Sequence, residues 1–497
     1  MRKATILVSF FLAGCASAPA YRAPALPLPS TFGESRHSDV VTATEATTAG
    51  PTATDDAAAT LTATTPPDSI APPASFWQTL GDSTLDRLME EALQANRDVQ
   101  AARARVSGAR SERTRVALDL APTVTFDGGY TRQRLSSAAF PVGVGSFPDQ
   151  DVWSSGLDAS WEIDVFGRVR HGLQAQGALV GAAEETLRDA QVAVAAELAQ
   201  SYFELRGAQR QLAVARENAE NQRRTLEVTR ERLAAGRGTA FDTERAQAQL
   251  SRTSASIPVL EAQVASAQYR IGVLLGRPPA TVTDELDGSG AIPILPETVS
   301  VADPTAVIRR RPDVVAAERQ LAAERALVGA AKAEYLPRLS VGASAGFMAT
   351  TLDGLGERGT FRYAVGPVIS WPAFDLGRVK TQVDVAGARA EEARARYEQT
   401  ALRALEEVET ALARYRASRL RVERIQEAAS ASEHAAELAR LRYSEGVADF
   451  LEVLEAERTQ LEAQDQLAQA RTDAATAYAA LYRALGGTWV AVHGDGR

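Results

Sequence analysis

Cysteine is nearly absent, since Cys15 is the single thiol in 497 residues. No intrachain disulfide can form, which excludes a small secreted domain held together by disulfides. Histidine is almost as scarce, and His37, His171, His434 and His493 show no metal-ligand spacing. No stretch approaches 18 continuous apolar residues, so no transmembrane helix is expected, and any membrane crossing must use a closed β-barrel. An excess of positive charge is also missing: the formal net charge is -9, which does not point to a nucleic-acid partner. Neither a nucleophile motif, a phosphate-binding loop nor a metal cluster can be read from the chain. The expectation is therefore a protein without enzymatic activity, metal or bound cofactor.

What the chain has in quantity is Ala, Arg, Glu, Gln and Leu, the composition of long helices and coiled coils. Its Arg and Glu residues are interspersed, as on a solvated helix surface. The N-terminus reads differently. Arg2 and Lys3 precede an apolar run from Ile6 to Phe11, followed by Leu12-Ala13-Gly14-Cys15. This is a short secretory signal, expected over residues 1–14. Leu-Ala-Gly-Cys also resembles the bacterial lipobox, which implies cleavage before Cys15 and acylation of that residue, the covalent lipid being the only attached group expected. An ordinary signal with a chance cysteine is the competing reading. Ala16 after the cysteine fits an outer-membrane destination. Residues 15–74 are rich in Pro, Ala and Thr and read as an extended, poorly ordered tether.

From there the chain repeats itself. Asn96-Arg97-Asp98-Val99 aligns with Arg311-Pro312-Asp313-Val314, and Pro122 with Pro337, both 215 residues apart. Trp161 to Arg170 aligns with Trp371 to Lys380, Arg232 and Gly236 with Arg442 and Gly446, and Leu275-Gly276 with Leu485-Gly486, all 210 apart. A tandem duplication follows, with a first repeat over 75–290, a second over 291–487 and a tail over 488–497. Each repeat predicts a helix of about 35 residues before a Pro, two strands around a Gly-rich loop, a helix of about 68 residues and a last helix of about 36.

The strands alternate with period two. Val124, Phe126, Gly128 and Tyr130 share one face, and Thr123, Thr125, Asp127 and Thr131 the other. Leu339, Val341, Ala343, Ala345 and Phe347 repeat that pattern, as do Phe361, Tyr363, Val365, Ile369 and Trp371. One apolar and one polar face over about ten residues fits a lipid-facing barrel strand, although a soluble sandwich strand looks the same. Trp161 and Trp371 stand at matching strand ends, as in an aromatic belt at the membrane interface. The long helices carry a heptad: Leu198, Leu205, Leu212, Ala219, Leu226 and Leu233, matched by Val408, Tyr415, Val422, Ala429, Ala436 and Tyr443. Four strands cannot close a barrel, so copies of the chain must share one. Two copies would give eight strands with a filled interior; three would give twelve and room for a conduit.

These features resemble the outer membrane efflux protein family, the TolC-like channels, in the lipoprotein branch resembling OprM and NodT. The resemblance rests on Phe76-Trp77 with Leu85, Leu88, Glu91-Ala92-Leu93 and Asn96, and on Arg310-Arg311-Pro312-Asp313-Val314 with Glu318, Leu321 and Tyr335-Leu336-Pro337. It implies an α+β membrane protein, a homotrimer with a twelve-stranded outer-membrane barrel, four strands per chain, continuous with a long α-helical coiled-coil periplasmic barrel. It further implies a passive exit duct for small molecules in a tripartite efflux system of the resistance-nodulation-division type, working with a periplasmic adaptor and an inner-membrane pump. Arg232, Gly236, Arg442 and Gly446 then belong to the family's R-x-x-x-G pattern at the adaptor-docking tip, while Glu445 and Asp449 are candidate gate residues. Bland alternatives are a helix-hairpin turn for the glycines and a solvated surface acid for Asp449. Asp164 and Asp375, near strand-to-helix junctions, read as helix N-terminal acids. Two other functions stay open: an outer-membrane channel for type I protein secretion, and a periplasmic coiled-coil structural lipoprotein without a pore.

Overall fold

The computed structural model describes residues 23–26, 28–33, 40–42, 73–134, 148–288, 290–296, 299–301 and 303–487. Cys15, the signal segment and the 488–497 tail lie outside them. Strand β1 (Val40–Thr42) and helices α1 (Pro73–Gln78), α2 (Ser83–Ala95) and α3 (Arg97–Leu118) lead to β2 (Thr123–Gln133) and β3 (Gln150–Ile163). Next come α4 (Arg168–Ala234), α5 (Ala240–Leu274), a 3₁₀ turn at Pro279–Val282, α6 (Thr283–Leu286) and β4 (Val299–Val301). The second half runs through α7 (Pro304–Arg310), α8 (Pro312–Ala333), β5 (Arg338–Ala349), β6 (Phe361–Ser370), α9 (Leu376–Ser444) and α10 (Phe450–Ala484). The long helices α4 and α9 have 67 and 69 residues, and α5 and α10 have 35 each, as the periodicity predicts.

Two compact units are present. One takes the described residues of Met1–Ala25, Ala104–Glu184 and Ala316–Glu398; the other takes Leu26–Arg103, Glu185–Val315 and Gln399–Arg497. Each unit therefore draws on both repeats. The first holds an antiparallel sheet in the order β2-β3-β5-β6. The second is helical, with a core in which Trp77, Tyr202, Phe203, Tyr478 and Tyr482 are buried together with Leu85, Leu88 and Leu198.

The helix expected to run unbroken for about 35 residues before each Pro is two helices in each repeat, a correction with one local cause on each side. In the first repeat Asn96 interrupts: its side-chain oxygen accepts from the backbone N–H groups of Asp98 (2.9 Å) and Val99 (3.2 Å), capping α3. In the second, Pro312 starts α8, where a missing N–H costs nothing, and disfavours helical geometry at Arg311 before it. The two interruptions are 215 residues apart and clamp equivalent carbonyls. Asn96 donates to the carbonyl of Leu274 at 2.9 Å, and Arg311 to that of Ala484 at 2.8 Å. Arg311 is buried and also pairs with Asp313 at 2.8 Å and Glu407 at 2.7 Å. Nearby, burial first and then the Asp313 charge push the Asp189 carboxyl above its ordinary range.

The Leu-Gly that closes each repeat has a matching reason. Gly276 and Gly486 adopt φ of 69° and 73°, conformations that side chains resist. A Cβ on Gly276 would also stand 2.6 Å from the carbonyl oxygen of Ala95, and one on Gly486 3.1 Å from Arg311 Cγ.

The tether is less featureless than its composition implies. Phe32 is buried in the helical core, the backbone N–H of Gly33 donates to Glu409 Oε1 at 2.6 Å, and β1 pairs in parallel with β4, Val40 facing Val299. An apolar ring in a Pro- and Ser-rich stretch is enough to anchor it.

Gly236 shares the left-handed conformation (φ 67°) but faces open space. Gly236→Ala should cost about 1–2 kcal/mol for backbone strain alone. Gly276→Ala adds a collision with Ala95 and should cost at least twice as much, read as the difference between the two denaturation midpoints of the detergent-solubilised protein.

Candidate functional site

Two surfaces carry the residues singled out from the sequence. The first is the outward apolar face of the sheet. The register places Val124 opposite Ala159, Phe126 opposite Leu157 and Tyr130 opposite Trp153; then Leu157 opposite Ala345 and Trp161 opposite Val341; then Ala345 opposite Tyr363 and Phe347 opposite Phe361. All of these lie on one face. They are not covered: Phe126 is 72% exposed, Tyr363 74% and Ile369 71%. An uncovered apolar face of this size on a sheet fits contact with lipid or another apolar partner. The opposite face carries Thr123, Thr125, Asp158, Ser160 and Ser344, which together with Gly342, Ala364 and Val368 line an open concavity of about 640 Å³.

Trp161 and Trp371 are half-exposed at one end of this face. Each donates its indole N–H to a carbonyl, Trp161 to Leu120 at 2.9 Å and Trp371 to Tyr335 at 3.0 Å, and those carbonyls are again 215 residues apart. The amphipathic ring thus has a polar tether and an apolar body, as interfacial aromatics require. A second aromatic set escaped the sequence reading. At the other end of the strands Tyr130 and Trp153 have ring centres 4.6 Å apart, and Phe347 and Phe361 5.7 Å. Eight residues separate Trp153 from Trp161 on β3, which at about 3.3 Å per residue is roughly 26 Å. At the strand tilt of about 40° usual in such barrels this is about 20 Å of height, within about 5 Å of the apolar band of roughly 25 Å between their aromatic girdles. Only pairing across strands reveals it, because the four rings come from four different strands.

At the helical junctions Asp164 accepts from the N–H groups of Val169 (3.1 Å) and Arg170 (2.9 Å) at the start of α4. Asp375 pairs with Arg378 at 2.6 Å at the start of α9. Both carry the helix-start role read for them.

The second surface is the pair of tips where α4 turns into α5 and α9 into α10. Gly236 and Gly446 (φ 67° and 77°) close both long helices with matching turns: Arg237 N–H donates to Arg232 O at 2.8 Å, and Val447 N–H to Arg442 O at 2.9 Å. The structure brings the two tips together through Arg232. Its guanidinium lies 3.9 Å from the centre of the Tyr443 ring and donates to the Tyr443 carbonyl at 2.9 Å. Arg442 instead pairs with Glu452 at 3.1 Å on its own tip. Asp449 caps α10, accepting from Glu452 N–H at 3.0 Å, where Thr239 caps α5 in the first repeat. Glu445 and Asp449 are both exposed on the second tip.

Beneath the tips the packing takes in polar side chains. Leu226, Ala246 and Phe450 form a small separate core, joined by Tyr443. Between it and the main core, buried Asn218, Gln222, Glu457 and Gln460 are interleaved with buried Leu212, Ala215, Ala219, Ala429 and Ala436. Glu457 pairs with Arg440 at 3.0 Å and accepts from Thr225 at 3.0 Å. One signal was available in the sequence. A second column of the heptad, Ser201, Ala208, Ala215, Gln222 and Thr229, is buried throughout and turns polar toward the tip. In the apolar column, Leu198 to Leu226 are buried, while Leu233 at the tip is exposed.

Comparison with known proteins agrees with this arrangement. The model of the outer membrane efflux protein family matches residues 88–277 and 304–487, one match per repeat. The solved structure of the outer-membrane channel OprN is 36% identical, with a TM-score of 0.82 over 96% of this chain and 100% of that one. Among curated relatives, the toluene efflux pump outer membrane protein TtgF of Pseudomonas putida is 29% identical over 98% of this chain and 96% of its own length. The probable outer membrane lipoprotein SilC of Salmonella typhimurium is 27% identical over 98% of both.

The link between the tips is testable. In a double-mutant cycle with Arg232→Ala and Tyr443→Ala, the coupling should be about 0.5–1 kcal/mol, as for a partly exposed cation–π pair. Tyr443→Phe should keep most of it. Arg440→Ala should cost about 3 kcal/mol or more, because it leaves the Glu457 charge buried without its cation. Both are read from unfolding of the purified protein.

Proposed function

The chain belongs to the outer membrane efflux protein family, and from that premise we propose that it is the outer-membrane exit duct of a tripartite efflux system of the resistance-nodulation-division type. The observation that carries this is the four-stranded antiparallel sheet, whose apolar face is bare between two aromatic girdles and whose edge strands are unpaired. A sheet of that kind is stable in an outer membrane once closed into a barrel. Three copies supply twelve strands, enough for a conduit lined by the Thr, Ser and Asp face. The helical unit serves as the periplasmic part of the duct. Cys15, lipidated after cleavage, anchors each chain to the membrane, with several acyl chains making the attachment durable. No energy-coupling step is assigned to this chain; family members are channels, and the inner-membrane pump drives transport.

In this reading the two tips dock a periplasmic adaptor through the turns at Gly236 and Gly446. Their roles differ. Arg442 is exposed beside its turn and paired there with Glu452, whereas Arg232 is engaged in holding the tips together. Three copies of Glu445 and Asp449 brought near one axis would repel each other and favour cations. Solutes leave through a path whose width and charge, rather than any fitted pocket, set what passes.

Two measurements test this. Reconstituted in a planar bilayer, the protein should conduct, and an absence of conductance would return it to a structural role. A photo-crosslinker at Gly446 or Gly236 in the native cell should capture a resistance-nodulation-division adaptor. Capture of a secretion-type adaptor instead would move the function to protein export.

A further inference from the structure

The helical unit carries a cleft that none of the roles above uses. The segment 290–296 is tied down at both ends. At one, Gln209 of α4 donates to the Leu286 carbonyl at 2.7 Å, and Arg206 to that of Gly288. At the other, the Tyr415 hydroxyl of α9 donates to the Pro296 carbonyl at 2.7 Å, and Arg419 to the same oxygen at 3.1 Å. Between these ties the segment and helices α4, α9 and α10 enclose an open cleft of about 930 Å³. Small-molecule sites commonly run from about 300 to 1,000 Å³. Buried Ala468 and Ala474 of α10 give the cleft one apolar wall, and Ile292, Pro293 and Leu295 supply another.

Four guanidinium groups line it, those of Arg206, Arg210, Arg419 and Arg471, against the one carboxylate of Glu423. Four less one leaves three positive charges in excess, in a chain whose net charge is -9. Elsewhere in the helical unit arginine is balanced directly: Arg216, Arg277, Arg421 and Arg440 each pair with a carboxylate at 2.6–3.0 Å. Among the described residues, none of the four cleft arginines has such a partner. Arg419 holds a carbonyl and Arg471 the Gln426 side chain, which leaves most of their N–H groups unused. Arg210 is exposed, with no hydrogen-bond partner among the described residues. Arg206 goes furthest. It is only 6% exposed, yet its Nε has no acceptor. A Cβ on Gly290 would stand 2.7 Å from that nitrogen, so only glycine lets the segment pass it. A buried N–H without an acceptor marks a site that the chain does not complete by itself.

We propose that this cleft binds an amphiphilic organic anion, its carboxylate or phosphate head held by the cleft arginines and its apolar chain laid along residues 292–295. The division of the lining supports that class of ligand. Guanidinium groups present paired N–H donors that match carboxylate and phosphate oxygens. Free phosphate would leave the apolar walls unused, and a neutral apolar molecule would leave the positive charge uncompensated. The arginines come from α4, α9 and α10, and the apolar wall from the segment across them. A bound anion therefore ties together parts of both repeats, and stabilises the helical unit as any ligand of the folded state does.

Photolabelling of the full-length protein in its native outer membrane tests the site. The probe is a diazirine analogue of hexadecanoic acid, the matching alcohol is the uncharged control, and labelled peptides are identified by mass spectrometry. The acid should label residues 290–296 or 468–474 about tenfold or more above the alcohol, the factor that a charge-assisted hydrogen bond supplies. Arg210→Glu and Arg471→Glu should each cut that labelling by a similar factor. Arg458→Glu, which reverses a residue paired with Glu455 outside the cleft, should leave it unchanged. Competition by unlabelled hexadecanoate and by lysophosphatidylglycerol identifies the head group, and stronger competition by either one supports the site. Displacement by inorganic phosphate as readily as by the amphiphiles overturns the apolar half of the proposal. Equal labelling by acid and alcohol, labelling untouched by the two reversals, or none in any variant overturns the site. Labelling that appears only when Glu45, Asp55, Asp56 and Asp68 are made neutral assigns the cleft to the chain's own acidic stretch and overturns the ligand.

Discussion

A strand at the edge of a sheet leaves every second backbone N–H and C=O without a partner, and in hydrocarbon no water can replace it. That constraint governs this chain. The strands β2 and β6 are long, largely uncharged on one face and unpaired, and each unmet polar group would cost several kcal/mol in a bilayer. The sheet cannot be the whole of the membrane structure, and additional copies of the chain are the economical source of the missing strands. Bare apolar side chains, an aromatic set at each end of the strands and an opposite face bearing Thr, Ser and Asp become intelligible together once the edges are closed.

The helical unit answers a different demand, that of holding long helices in register without disulfides. Its solution is made once and used twice. Asn96 and Arg311 break a helix at equivalent points, and each reaches the final carbonyls of the equivalent helix, α5 or α10. The glycine that follows each of those helices lets the backbone pass close to the break. Chemistry at the two sites has diverged while geometry has not: a neutral amide serves in one repeat and a buried, doubly paired guanidinium in the other. The tips diverge similarly. Arg232 became a strut against Tyr443, and Arg442 remained on the surface beside Glu452.

Packing is uneven along the helical unit. A large aromatic core gives way to small apolar residues interleaved with buried polar ones, and then to a small apolar cluster at the tips. Polar layers hold helices less firmly than apolar ones and are sensitive to the loss of a single partner. The stretch beneath the turns read as the docking and gating surface is thus where buried polar side chains enter the packing. Such a place is where a local rearrangement costs least.

Much of this was legible in the residues themselves. The lengths of the four longest helices, the face of each strand, the helix-ending glycines and the helix-start acids all follow from periodicity and local conformational preference, which are properties of short segments. Three things were not legible, and each depends on residues distant in sequence. The helix breaks at Asn96 and Arg311 are held by carbonyls more than 170 residues away. The second girdle assembles from Tyr130, Trp153, Phe347 and Phe361 only when the strands are in register. Arg232 looks like its counterpart Arg442 in sequence, yet Tyr443 on the other tip decides that it turns inward. By itself, then, the sequence determined the repeating elements and which side of each is apolar, because these arise from neighbours along the chain. Only the tertiary structure decided which of the matching residues reach across to the other repeat and which keep a partner within their own, because that depends on what the other repeat places beside them.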